Sequence, residues 1–195
     1  IGFFMLPPTV IGSLWGITFV EQYYNFSKIT AGNLISVFWI GCLIASPVVG
    51  VIIDRMPKNT RNILLYSGSI LCALSLFGIG TGIFVSLIAL AVLFFILGVS
   101  LVGDLVAYDN IGNVNDQSSE KIAIGFIMMF ANIMCAIGQI TFGFIIDRDA
   151  NSSSLETAGL IYSSSSLQLA MLIISLAIVL IIPINKFIKN SNTRR

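Results

Sequence analysis

The sequence predicts an all-α membrane protein with six transmembrane helices. Of its 195 residues, 56% are hydrophobic and only 10% are charged, and its mean hydropathy is +0.97. Soluble domains carry about 25% charged residues and lack long apolar runs. Six apolar stretches in this chain approach or exceed the roughly 20 residues that a helix needs to cross the hydrocarbon core of a bilayer.

The six stretches follow one another along the whole chain, and polar or turn residues separate them. The separators include the charged segments DRMPKNTR and DRDANSSSLETAG and the short turn GTG. They divide the chain into six predicted helices and a polar tail, at residues 3–22, 31–53, 62–81, 84–107, 121–146, 163–184 and 185–195.

The distribution of basic residues predicts the orientation. An even number of crossings puts both chain ends on one side of the membrane, and this side receives eight of the ten Lys and Arg residues. The positive-inside rule makes that side cytoplasmic. The eight residues are Arg55, Lys58, Arg61, Lys121, Lys186, Lys189, Arg194 and Arg195, and the opposite side has Lys28 and Arg148.

The composition argues against several other classes of protein. A net charge of +1 provides no basic field for a nucleic-acid partner. The chain has no histidine, which is the commonest metal ligand and general base, and no cluster of carboxylates, serines or lysines replaces it. The three cysteines lie inside apolar runs and are expected to be buried hydrophobic residues. We therefore expect no enzyme activity, metal or cofactor.

A repeat connects the two halves of the chain. GVIIDR at 50–55 and GFIIDR at 143–148 are 93 positions apart, and the same offset pairs Gly32 with Gly125 and Cys42 with Cys135. Three crossings separate the two copies, so they lie on opposite sides of the membrane. This pattern predicts two inverted three-helix units, a sequence mark of secondary transporters. Chance similarity between two apolar helices that end in a charged pair is the alternative.

These residues resemble the C-terminal six-helix half of a major facilitator superfamily transporter. The segment GVIIDRMPKNTR is similar to the loop signature of that family, with Gly, three residues, Asp-Arg and then basic residues. Pro57 stands where the family usually has Gly. The segment GFIMMFANIMCAIGQITFGFIID resembles the branch that includes phagosomal nutrient transporters of intracellular bacteria. The loop residues that carry the resemblance are Gly50, Asp54, Arg55, Lys58 and Arg61.

The resemblance implies a secondary active transporter in a bacterial inner membrane. It would move a small organic solute, such as an amino acid or a nucleoside, by alternating access with proton coupling. Its binding cavity would lie between two six-helix halves, so the N-terminal half would be the partner of this chain. Since the chain begins inside an apolar stretch, we expect it to be part of a longer protein. A six-helix channel or a structural subunit of a membrane assembly are the alternatives.

Asp104 and the Pro7–Pro8 pair are unusual residues for the interior of a membrane helix. A charge at mid-membrane costs about 2.5–3.5 kcal/mol on insertion scales. Asp104 is therefore expected to face the cavity as a coupling carboxylate, unless the fourth helix ends near residue 103 and Asp104 meets water. The two prolines remove backbone donors, and they predict either a break that lines a cavity or a simple bend.

Four further side chains at membrane depth are candidates for substrate binding. Trp15 lies near the middle of the first helix and Trp39 within the second, while Asn132 and Gln139 are seven residues apart on one face of the fifth. Each of the four could contact the substrate or could bind a neighbouring helix instead.

The two ends of the bundle supply candidate gates. Gln22 and Tyr23 close the first helix at the outer face, where they could form a gate or an interfacial anchor. At the cytoplasmic face, Asp54 is expected to act with Arg55 and Arg61 as a latch against the positive end of a helix in the missing half. Asp147 and Arg148 are interpreted as the structural counterpart of that loop, without its function.

Overall fold

The computed structural model describes residues 1–57, 60–114, 117–147 and 162–183, and this part of the chain contains helices and turns but no strand. The predicted all-α chain with six apolar spans is confirmed. The observed spans begin and end up to three residues from the predicted positions, and we number them in chain order: Gly2–Tyr24, Lys28–Arg55, Asn62–Thr81, Leu87–Asp109, Ser119–Asp147 and Ser164–Pro183.

We call the end of the bundle where the first span finishes the outer end. Tight turns there join the first span to the second and the third span to the fourth. Asn25 ends the first span with φ 56°, and Gly82 ends the third with φ 67°. Glycine, and less readily asparagine, tolerates this left-handed conformation. Ser27 then caps the second span, because its Oγ accepts a hydrogen bond from the Thr30 amide at 3.2 Å.

The first span is not a uniform α-helix. It begins as an α-helix at Gly2–Leu6, continues as a π-helix at Pro7–Trp15 and returns to an α-helix at Gly16–Tyr24. Short π-helical segments inside α-helices are rare and are frequent at functional sites. The break predicted from the two prolines is therefore a nine-residue π-helical segment.

The fourth span is also interrupted, which the sequence did not predict. Its helix Leu87–Ser100 stops at a turn of two residues, and a second helix resumes at Gly103–Val114. Across the turn the Asp104 amide donates a hydrogen bond to the Leu101 carbonyl at 3.0 Å. This acceptor is three residues back, whereas in an α-helix it would be four residues back. The first and fourth spans, which begin the two predicted three-helix units, are thus both irregular.

Glycines allow the second and fourth spans to approach closely. A Cβ on Gly98 would lie 2.1 Å from the carbonyl oxygen of Phe38, and one on Gly41 would lie 2.5 Å from that of Phe95. The Cys42 thiol donates to the Gly98 carbonyl at 3.4 Å. The third span packs against the sixth and the fourth, and the first span packs mainly against the fifth.

The buried core has two parts. The larger cluster runs through the middle and the outer end of the bundle and includes the fully buried rings of Phe19, Phe38 and Phe94. The smaller cluster surrounds Phe4 at the inner end, where the first span begins and the second ends. It brings the start of the first span against Val102, in the interruption of the fourth.

The second and fifth spans are the least covered of the six. Only 28% of the residues are buried in the most apolar part of the second span, and 11% in that of the fifth. Several predicted positions lie outside the residues that the structure describes: Lys58, Arg148, Lys186, Lys189, Arg194, Arg195 and the rest of the tail.

Candidate functional site

Asp104 lies directly after the interruption of the fourth span. Its exposed fraction is only 7%, and its Oδ1 atom is buried without a hydrogen-bond partner among the described residues. The ring of Phe4 covers the neighbouring backbone, since a Cβ on Gly103 would lie 2.6 Å from it. The span continues to Asp109, so Asp104 does not simply meet water at a helix end. A buried carboxyl group of this kind is stable when it is protonated or when it meets a cation.

The π-helical segment ends where a glycine is required. A Cβ on Gly16 would lie 2.1 Å from the Ile11 carbonyl oxygen and 2.6 Å from Cδ1 of Ile35. Within the segment, the Thr9 hydroxyl donates to the Met5 carbonyl at 2.6 Å, and the Ser13 hydroxyl donates to the Thr9 carbonyl at 2.7 Å. The close approach of the Ile11 carbonyl therefore leaves no room for a side chain at residue 16, and the two hydroxyls add bonds to main-chain carbonyls of the same helix.

Two of the predicted substrate-binding residues contact the π-helical segment. The Trp39 Nε1–H group donates to the Gly12 carbonyl at 3.2 Å, and the Gln139 Nε2–H group donates to the Thr9 carbonyl at 3.1 Å. Asn132 behaves differently, because its amide donates to the Met128 carbonyl of its own helix at 2.9 Å. Gln139 and Asn132 thus share a helix face by spacing but have no common partner.

Trp15 is the last residue of the π-helical segment and packs against two aromatic rings. It stacks on Phe142 with ring centroids 5.7 Å apart and meets the edge of Tyr162 at 6.2 Å. Gly143 leaves room for this ring, since a Cβ there would lie 3.2 Å from it. The ring of Trp15 is therefore packed against neighbouring helices, but its buried Nε1–H group has no hydrogen-bond partner in the described part of the chain.

The two predicted outer-gate residues fasten the first span to its neighbours. The Gln22 side-chain oxygen accepts a hydrogen bond from the Tyr162 amide at 2.8 Å, before the sixth span begins. The Tyr23 hydroxyl lies over the turn after the third span, where a Cβ on Gly82 would be 2.8 Å away. Burial, and to a smaller extent the Asp147 carboxylate, raises the pKa of Tyr162. Its hydroxyl therefore stays protonated at physiological pH.

At the inner end, Arg61 binds a residue that the sequence analysis missed. Its Nη1 pairs with the Asp109 carboxylate, and its Nε donates to the Met56 carbonyl at 3.2 Å. The sequence predicted that Arg61 would act together with Asp54 and Arg55. In the structure Arg61 instead pairs with Asp109, away from these two residues. Both of those residues are exposed and form no ion pair within the described ranges. Asp109 could have been suspected, because it follows the fourth apolar stretch on the same side of the membrane as the loop.

Other kinds of site have little support in the described part of the chain. No three acidic, cysteine or histidine side chains come together there in a way that could hold a metal ion. An apolar cavity of about 150 Å³ lies between the first, fifth and sixth spans, with Leu6, Phe142 and Ile174 in its wall. None of the predicted substrate-binding residues lines it.

The fold and these contacts fit a multi-pass integral membrane protein with two interrupted spans that meet at the inner end. No protein-family model matches the chain, and no curated protein sequence matches it. Function is therefore argued from the geometry of the two interrupted spans and from the residues around them.

Proposed function

We propose that this chain is one half of a secondary active transporter that moves a small organic solute by alternating access. The observation that carries the proposal is the interruption of the first helix in each predicted three-helix unit. At the 93-residue offset of the repeat, Leu101 and Val102 of the second interruption fall on Pro8 and Thr9 of the first. Interrupted helices at corresponding positions of two repeats are the best pointer to a transport site.

The packing of the spans supports two related units. If the first, second and third spans correspond to the fourth, fifth and sixth, a contact between the second and fourth spans should have a counterpart between the fifth and first. Both contacts are present. The third span packs on the sixth, and this contact is its own counterpart. The correspondence is incomplete, because the fifth span also packs on the sixth, whereas the second and third spans have no comparable contact in the described part of the chain.

Asp104 is the proposed coupling residue. Ionisable residues inside membrane spans are functional candidates by default, and the Oδ1 atom of this one is buried without a hydrogen-bond partner in the described structure. A proton from the gradient would neutralise the carboxylate, so that the closed state, in which this group is buried, becomes more stable. Release of that proton on the other side would then reopen the site, which links solute movement to proton movement.

The proposed partner is a second six-helix half that covers the second and fifth spans. These spans expose polar side chains, including Asn33, Ser36 and Asn132. Ser36 and Asn132 each donate to a carbonyl of their own helix, but polar residues inside membrane spans usually face protein or a water-filled cavity instead of lipid. At the inner end, Arg61 is held by Asp109, whereas Asp54 and Arg55 are exposed towards solvent. Those two residues are therefore available to bind the partner half when the cytoplasmic side closes.

The first test is a ligand screen on the full-length protein. Thermal-shift measurements with amino acids and nucleosides should identify a stabilising solute, and the same solute should enter proteoliposomes with saturable kinetics. Flux that rises linearly with concentration would indicate a channel instead. If no solute stabilises the protein or enters the vesicles, a structural subunit becomes the better account.

A further inference from the structure

We infer that Trp39 and Gln139 are positioning residues that hold the Pro7–Trp15 segment of the first span in its π-helical form. From the sequence alone, both residues were candidates for direct contact with a substrate. In the structure, the side chain of each donates a hydrogen bond to a main-chain carbonyl of this segment.

The carbonyl that Trp39 binds is the one that the helix itself leaves without a donor. In a π-helix each amide reaches back five residues, and in an α-helix four. The segment ends at Trp15, so the Gly16 amide is the last to reach back five, to Ile11. The next amide, that of Ile17, is α-helical and reaches back four residues, to the Ser13 carbonyl. The carbonyl of Gly12 is skipped, and the Trp39 indole N–H group lies 3.2 Å from it.

Glycines give both donors access to the first span. A Cβ on Gly12 would lie 3.0 Å from the Trp39 ring, so the ring rests directly on the backbone that it binds. One residue before Gln139, a Cβ on Gly138 would lie 2.4 Å from Leu6. The second and fifth spans thus reach the π-helical segment from two separate helices of the bundle.

The Trp39 bond favours the π-helical form because it supplies the donor that the Gly12 carbonyl otherwise lacks. The Gln139 bond adds a second side-chain donor to the Thr9 carbonyl, which also accepts from the Ser13 hydroxyl. A carbonyl without a donor inside a membrane is strongly unfavourable, so the loss of Trp39 favours a return to α-helical spacing. That change shifts the register by one residue, about 100° around the helix axis. Trp15 would then turn away from Phe142, so Trp39 and Gln139 act on the candidate site through the position of Trp15.

Hydrogen exchange on the full-length protein in lipid nanodiscs tests this directly. The indole N–H of Trp39 is replaced by sulfur, using the benzothiophene analogue of tryptophan, which keeps the shape of the ring and removes the donor. We expect the amides between Gly12 and Ile17 to exchange about three- to tenfold faster, the range typical of one hydrogen bond between membrane helices. Gln139→Met should accelerate the same amides.

The chain offers a matched control for each substitution. The same analogue at Trp15, whose N–H group has no partner in the described structure, should leave these amides unchanged. Asn132→Leu should also leave them unchanged, since Asn132 binds its own helix. Unchanged exchange in the Trp39 variant, or equal acceleration in both tryptophan variants, would overturn the inference.

A second measurement rests on the proposed transport function. If Trp39 positions the segment without contact to the solute, its analogue should lower the maximal uptake rate while KM changes less than about twofold. A raised KM with normal amide exchange would make Trp39 a substrate contact and contradict us. Failure of transport itself would appear separately, as absent uptake by the unmodified protein, and would leave the exchange result intact.

Discussion

The Arg61–Asp109 ion pair joins the loop after the second span to the end of the fourth span. The side chains are 12% and 28% exposed, so solvent screens part of their attraction and the pair contributes about 1 kcal/mol at most. The additional bond from Arg61 to the Met56 carbonyl fixes the direction of the guanidinium group. Both interactions hold Arg61 at the start of the third span.

A double-mutant cycle should detect this pair. We expect Arg61→Ala and Asp109→Ala to show a coupling energy of about 0.5–1 kcal/mol in thermal unfolding of the full-length protein. Arg55 is a matched control, since it is exposed and forms no ion pair in the described ranges. The cycle of Arg55→Ala with Asp109→Ala should give a coupling near zero. Equal coupling in the two cycles would show that the observed pair has no specific role.

Single residues could be named from the sequence more easily than their partners. Asp104, Trp15 and Gln139 stand out because polar or aromatic groups are conspicuous inside apolar stretches. Their surroundings depend on local helix geometry, which the sequence did not specify. The Pro7–Pro8 pair indicates a break but not a π-helix, so the skipped carbonyl of Gly12 and its bond to Trp39 could not be predicted.

At the scale of helices, glycines set how closely the spans pack. Gly98 and Gly41 place the backbones of the second and fourth spans in direct contact. Such contacts replace the hydrophobic driving force that is absent between helices in lipid. They hold the backbones of these two spans in direct contact along one side of each helix.

Alanine substitutions should separate contact glycines from exposed ones. Ala is about 1 kcal/mol better than Gly in a helix, and a Cβ on Gly32 meets nothing within 4 Å. Gly32→Ala should therefore leave the melting temperature unchanged or raise it. Gly98→Ala should lower the unfolding free energy by about 2 kcal/mol or more, because its Cβ would meet the Phe38 carbonyl. Similar melting of the two variants would contradict the close packing.

The interruption of the fourth span was missed because its sequence contains no residue that reliably breaks a membrane helix. The residues around the turn, ILGVSLVGDLV, contain glycines but no proline, and glycine alone does not end a membrane helix. The turn at Leu101–Val102 arises where Gly103 approaches Phe4 and where Gly68 approaches the Ser100 carbonyl. These are contacts between distant segments, and local sequence does not reveal them.

In the whole molecule, the second and fifth spans are the least covered of the six. The sequence predicted six spans and both ends on one side, but it could not say which faces are covered. The helices are apolar around most of their circumference, so periodicity does not distinguish a face towards lipid from one towards protein. Asn132 stood out in the sequence, but its exposure, and that of Asn33 and Ser36, was recognised only after the packing was known.

Oxygen accessibility of spin labels should show which faces meet lipid. We expect a nitroxide at Ser36 or Ala136 to be shielded from oxygen in the full-length protein, because the proposed partner half covers these positions. Leu176 is 66% exposed on the sixth span and is the lipid-facing control, with high accessibility. If labels at residues 36, 136 and 176 are equally accessible, the proposed interface does not exist.

If Asp104 couples solute movement to a proton gradient, uphill uptake by proteoliposomes depends on its carboxyl group. With the solute identified, an imposed inward proton gradient should drive accumulation above the external concentration, and a protonophore should abolish it. Asp104→Asn should keep exchange of labelled for unlabelled solute, because the neutral side chain mimics the protonated state, but should lose uphill accumulation. Unchanged uphill accumulation by Asp104→Asn would contradict the account.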